Sequence, residues 1–197
     1  MARPFRQQVD EGILDRAAGL FARRGFAKTS VQDIAVAVGL SKAGLLHHYP
    51  SKDALYEAVL AHAEGMGRRV VSAVAELPPG RERDLRALEI LVDVALAHPG
   101  IVALMLGPAT DPGPATEEPA AAGTEVLRAF GVEQETAEAE RLVRVVGALS
   151  ALAVLTLAAH SAGTTTEWRR HIVATCSDAL GHRRPGAPPP DPHQVEA

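Results

Sequence analysis

Cysteine is nearly absent. Cys176 is the only one in 197 residues, which excludes an internal disulfide and fits a reducing, cytoplasmic setting. Aromatic residues make up only 4% of the chain against 47% hydrophobic residues overall, so the interior has to be built from alanine, leucine and valine. No period-two apolar pattern bounded by turns competes with the helical spacing that recurs along the chain. No apolar segment follows a basic start, so no signal peptide is expected. The longest uncharged apolar stretch, Gly147 to Gly163, falls short of the roughly 20 residues that span a bilayer, which predicts a buried helix and no membrane partner. There is no G-x-S-x-G, no phosphate-binding glycine loop and no dinucleotide fingerprint, so an enzyme is not expected. The eight histidines form no i, i+4 pair and no H-E-x-x-H, and no cysteine pair lies near them, so neither a metal nor a cofactor is expected. Cys176 shares a stripe with Trp168 and Ile172, where a buried thiol is inert.

What is present is concentrated between Thr29 and Leu55, TSVQDIAVAVGLSKAGLLHHYPSKDAL. Thr29 and Ser30 offer hydroxyls to the free N–H groups of a helix starting at Val31. Val31, Ile34, Ala35 and Val38 then repeat at i, i+3, i+4 and i+7, giving one narrow apolar face. Gly39 stands where the chain leaves that helix, in a position that favours the left-handed conformation, and Ser41 is placed to cap the next. The second helix, Lys42 to Tyr49, ends before Pro50, and Ser51 caps a third from Lys52. At about 100° per residue, Leu45 and Tyr49 point inward, Ala43 and His47 outward, with Lys42, Gly44 and Leu46 on the flanks and His48 nearer the core boundary. Two short helices joined by a tight glycine turn, presenting a small, basic and hydrogen-bonding face, form a helix-turn-helix suited to the major groove.

The run from about Val9 to His62, above all GFAKTSVQDIAVAVGLSKAGLLHHYPSKDALYEAVL, resembles the N-terminal domain of the TetR family of transcriptional regulators. The G-F before the Thr-Ser cap, the D-I-A of the first short helix, the V-G-L-S-K turn and the aromatic-Pro-Ser-Lys-Asp-Ala-Leu exit carry the likeness, over roughly the first third of the chain. The resemblance implies that Thr29, Ser30 and Gln32 sit where a helix crosses the DNA backbone. It places Ser41, Lys42, Ala43, Gly44, Leu46, His47 and His48 in or beside the major groove and makes Lys52 the lysine that meets a phosphate. The family most often has tyrosine where this chain has Leu46, which removes a hydroxyl and leaves a side chain able to touch a thymine methyl.

Charge points the same way. Residues 1–52 hold 8 basic and 4 acidic residues, net +4, whereas the rest hold 12 basic and 20 acidic, net −8; phosphate contacts by Lys and Arg supply much of the affinity for DNA. Arg3 and Arg6 precede the expected first helix as a possible minor-groove arm.

The expected architecture is all-α: a three-helix helix-turn-helix domain over 1–52, a linking helix from 52 to about 76, a larger helical effector-binding and dimerisation domain over 53–182, and a disordered proline-rich tail over 183–197. Helices are expected from about Arg81 to Ala97, around Ile101 to Leu106, near Thr124 to Phe130, from Glu135 to about Ser161 and from Thr165 to Leu180. The four prolines of 107–123 mark a loop or weakly helical link. The helix ending near Ser161 is apolar nearly all round, and the stripe Trp168, Ile172, Cys176 and Leu180 follows it. Together they predict a four-helix interface between two copies, the surface the resemblance also implies. Two reader helices would then lie about 34 Å apart on a near-palindromic operator. The resemblance further implies a small-molecule effector that releases a repressor, with His98, Leu104, Met105, Leu152, His160 and Trp168 as candidate lining. The alternatives are an effector-independent regulator and a dimeric helical adaptor that binds protein instead of DNA.

Overall fold

The computed structural model describes residues 3–110, 121–133 and 135–182, and among them every regular element is a helix. The head consists of α1 (Arg3–Arg24), α2 (Val31–Val38), α3 (Lys42–His48) and the first part of α4 (Lys52–Val74). The body consists of the rest of α4 with α5 (Arg81–Ala97), α6 (Pro99–Thr110), α7 (Ala121–Ala129), α8 (Ala139–Ala162) and α9 (Thr165–Ala179). Three expectations are corrected at element ends. α1 begins at Arg3, so the backbone of Arg3 and Arg6 is helical rather than a free arm, because Pro4 falls in the first turn where its missing N–H costs nothing. α6 continues past Leu106 to Thr110, so the backbone of Gly107 and Pro108 is helical. α7 starts at Ala121, so the expected link shrinks to 111–120, which lies outside the described residues, as does the tail 183–197.

Burial divides the chain into two cores. The first gathers Ile13, Ala17 and Phe21 of α1, Ile34 and Ala35 of α2, Leu45 of α3, Leu55 to Met66 of α4, and Ile101 of α6. The second begins on α4 at Val70 and Val74 and takes in α5, α7, α8 and α9. The packing boundary therefore crosses α4 between Met66 and Val70 rather than falling at Lys52, and the N-terminal part of α6 packs with the head.

That crossing of α6 over α1 is made by backbone. A Cβ built on Gly100 would lie 1.9 Å from the Asp15 carbonyl oxygen and 2.9 Å from the Gly19 nitrogen. The Ile101 N–H donates to the Asp15 carboxylate at 2.9 Å, which satisfies one of the free donors at the start of α6. At the far end of the body, Asp84 is 1% exposed. Its carboxylate accepts from Arg141 at 2.7 Å and meets His182 Nε2 at 2.6 Å, while Arg141 also donates to the Phe130 carbonyl. Beside it, Arg83 donates to the carbonyls of Leu77, Arg128 and Ala129.

The two last helices divide their faces in a way the sequence does not announce. α8 buries Val145, Ala148, Leu152, Thr156 and Ala159 and leaves Val143, Gly147, Ser150, Val154 and Ala158 exposed. The helix is 24 residues, long and apolar enough to cross a bilayer, which corrects the shorter span expected from Gly147 to Gly163. The α9 stripe is corrected too: Ile172, Cys176 and Leu180 are buried in the chain's own second core and Trp168 packs against it. The exposed side of α9 is polar, with Glu167, Arg170, His171 and Asp178. Of these two helices, α8 is therefore the one that presents an exposed apolar face.

Candidate nucleic-acid interface

Capping groups fix the geometry of α2 and α3. Ser30 accepts from the Asp33 N–H at 3.1 Å, and the Asp33 carboxylate accepts from the Ser30 N–H at 2.9 Å, a reciprocal capping box. The Ser30 hydrogen bonds, reinforced by Arg24 at 3.3 Å, hold the Asp33 carboxyl below the usual carboxylate range. Gly39 ends α2 with φ 75°, and the Leu40 N–H reaches back to the Ala35 carbonyl at 2.9 Å, a termination that needs the left-handed glycine. Ser41 accepts from the Gly44 N–H at 3.0 Å and Ser51 from the Ala54 N–H at 3.0 Å, so α3 and α4 both start on serine caps.

The α3 helix is anchored by Leu45, 1% exposed, and this turns Lys42, Ala43, His47 and His48 to solvent with Gly44 and Leu46 half-buried. Gln32, Ser30 and Ser41 are exposed on the same domain. Gly44 is not open on all sides: an added Cβ would lie 3.2 Å from the Ser41 capping hydroxyl. The absence of a side chain there therefore serves the cap as well as any close approach.

Three expected contact residues sit differently. Thr29 is 1% exposed and its hydroxyl donates to the Gly25 carbonyl at 2.8 Å, tying the end of α1 to the start of α2. Lys52 donates to the Phe26 carbonyl at 2.8 Å and lies 4.1 Å from the Phe26 ring centroid, so its ammonium clamps the α1–α2 turn. His48 Nδ1 stands 3.2 Å from the Asp10 carboxylate, linking the last turn of α3 to α1. Desolvation, with the nearby Asp10 charge, pushes the Tyr49 phenol above its usual value.

Two residues that pattern reading overlooked complete the frame. Arg16 donates to the Ala37 carbonyl at 2.9 Å, so α1 grips the end of α2 through Arg16 and the end of α3 through Asp10. Phe21, Phe26 and Tyr56 form a ring cluster with centroids 5.0 to 5.6 Å apart, bracing the turn that Lys52 holds. Arg16 and Asp10 read in the sequence only as charges beside the α1 stripe, because their partners lie more than twenty residues away.

The six candidate effector residues are divided between the two cores and the surface. Leu104 and Met105 pack on the head core, Leu152 is inside the second core with Trp168 against it, His160 is exposed on α8, and His98 caps α5. None of them lines either of two surface clefts. One, of about 410 Å³, lies between α1 and the end of α2; the other, of about 590 Å³, is bordered by Val71, Arg83, Arg128 and Arg141.

Comparison with known proteins agrees with the head geometry. Residues 13–59 match the family described as bacterial regulatory proteins, tetR family. Over 48 residues the chain is 46% identical to the HTH-type transcriptional repressor KstR2 of Rhodococcus jostii, covering 24% of each protein. Over 50 residues it is 46% identical to the HTH-type transcriptional regulator RutR of Escherichia coli, covering 25% of this chain and 24% of that one. The matches thus span about a quarter of the length of these curated relatives. Among solved structures, the TetR family transcriptional regulator PfmR of Thermus thermophilus superposes with a TM-score of 0.54 at 26% identity, over 88% of this chain and 96% of that one.

Proposed function

Since the chain belongs to the tetR family of bacterial regulatory proteins, we propose that it is a homodimeric repressor that reads a near-palindromic operator with α3 and is released by a small-molecule effector. The observation that carries the reading is the outward face of α3, where Lys42, Ala43 and His47 stand exposed on a short helix fixed by Leu45 and Ser41. Lys42 supplies a phosphate or guanine contact, His47 a base-edge hydrogen bond and Leu46 an apolar contact to a thymine methyl. Ser30 and Gln32 approach the backbone at the start of α2. Thr29, Lys52 and His48 hold that frame, and the Lys52 ammonium keeps two further donors for a phosphate beside its bond to the Phe26 carbonyl. The division of the chain into a DNA-reading head and a dimerising body, and the pairing of α8 with α8 of a second copy, belong to the same proposal. Effector release is proposed from family membership alone, since none of the six expected lining residues borders either surface cleft.

The test is selection of bound duplexes from random DNA by the purified full chain, followed by salt titration of the selected site. A dimer making several phosphate contacts loses affinity steeply, with log K falling linearly in log salt at roughly −0.9 per phosphate neutralised. Enrichment of a two-fold symmetric sequence supports the reading, and absence of duplex binding at low salt overturns it.

A further inference from the structure

The joint between head and body contains a histidine pair that the reading above does not use. His62 lies on α4 and His98 at the corner where α5 turns by 105° into α6. Their ring centroids are 5.7 Å apart at an interplanar angle of 73°. The His62 Nε2 is enclosed with no hydrogen-bond partner. Two residues beyond His98, Gly100 meets the Asp15 backbone and Ile101 takes the Asp15 carboxylate. The corner that carries His98 is thus fastened to α1 and cannot retreat from His62 without breaking that crossing.

The charges around the pair come from every helix at the joint. Glu11 and Asp15 act on His62 from α1, Arg69 from α4 itself, and His98 from the corner. The Asp15 carboxylate is already taken by the Ile101 N–H. Burial, then the His98 charge, push the His62 imidazole below its ordinary value; Glu11 and Asp15 pull the other way without prevailing, and Arg69 adds to the depression. The closed joint therefore disfavours the charged form of His62, whereas an opened joint exposes the enclosed Nε2 to water and eases proton binding.

We propose that the His62–His98 pair is a proton-operated latch on the head–body joint: with His62 uncharged, α4 and the α5–α6 corner close against α1, and proton uptake at His62 parts them and frees the head. The DNA arm of this inference rests on the reading given under Proposed function. Because the closed state excludes the proton, its stability is fully present above the ordinary histidine value of about 6.5. It is lost as pH falls below that toward the lowered value, by up to tenfold in the opening equilibrium per pH unit and proton.

The experiment is hydrogen exchange on the full chain at about pH 7.5 and about pH 5.5, corrected for the intrinsic pH dependence of exchange, following the α6 amides from Ile101 to Met105. The wild type is expected to lose protection there about tenfold or more in acid, and both His62→Gln and His98→Gln to flatten that change. Two substitutions, one on α4 and one at the α5–α6 corner, keep the comparison usable if one fails to fold. Equal acid sensitivity in wild type and both variants, or none in the wild type, overturns the latch whether or not DNA binds. In parallel, the affinity for a selected duplex should fall about tenfold more in the wild type than in the variants over the same range, with His47 and His48 common to all. An acid-opened joint in a protein that binds no duplex upholds the latch and sinks the DNA reading instead.

Discussion

Replacing Gly100 by alanine would drive a methyl into the closest approach of head and body. The new carbon would sit 1.9 Å from the Asp15 carbonyl oxygen, whereas ordinary contact begins near 3.4 Å, and the obstructing atoms are backbone. Neither helix can yield by rotating a side chain, so α6 must withdraw from α1 by about 1.5 Å. That withdrawal stretches the 2.9 Å bond from the Ile101 N–H to the Asp15 carboxylate beyond use. Loss of a hydrogen bond to a charged group costs about 1.5–3 kcal/mol, and overpacking of this kind costs about 1–3 kcal/mol. Up to about 1 kcal/mol returns through the better helix propensity of alanine. The net loss is about 1.5–6 kcal/mol, which for a chain of this length lowers Tm by roughly 3–24 °C. Gly12→Ala is the matched control. Gly12 lies inside α1 with nothing within 4 Å of an added Cβ, so the same substitution should gain up to about 1 kcal/mol and raise Tm by a few degrees. Thermal melts followed by circular dichroism, all at one protein concentration because dimerisation shifts Tm, compare the two. If Gly100→Ala melts at or above the wild type, the backbone crossing does not constrain the molecule.

Val154→Asp places a charge on the exposed face of α8, where Val154 is 53% exposed; sedimentation should show monomers at concentrations where the wild type is dimeric, and an unchanged dimer would mean that the copies meet elsewhere. Ser41→Ala removes the α3 cap and should destabilise by about 1 kcal/mol while weakening binding to every duplex; full retention of affinity would show that α3 does not depend on this cap. His47→Ala should relax base preference at one position of each half-site by about 1–3 kcal/mol of discrimination, and an unaltered selected sequence would show that this side chain is not read. The Cys176 thiol, pushed up to about 11 by burial, should resist alkylation at neutral pH in the native state and react at once in denaturant. Rapid native labelling would contradict the packing described for α9.

The head was legible because its determinants are local. Ser30, Gly39, Ser41 and Ser51 each act within four residues, and the apolar spacing of α2 and α3 follows from one turn to the next. What the sequence did not disclose is which way a side chain turns when its partner is remote. Lys52 reads as a solvent-facing cation until the Phe26 carbonyl, 26 residues earlier, is placed beside it, and Thr29 reads as a cap for α2 although it serves Gly25. The same limit governs the body. The stripe from Trp168 to Leu180 announces an apolar face on α9 without saying whether the chain or a second copy covers it. The six proposed effector residues share a composition, but none of them borders either surface cleft.

Asp84 draws together the first turn of α5, the first turn of α8 and the third residue beyond α9, with Arg141 and His182 as its partners. Stripping a partner from so enclosed a carboxylate costs about 3–5 kcal/mol, more than the 1–3 kcal/mol by which an effector typically biases a regulator. A modest bias therefore leaves this knot intact. Any bending of the body under such a bias is therefore expected to turn about this fulcrum, with its largest amplitude at the end remote from Asp84.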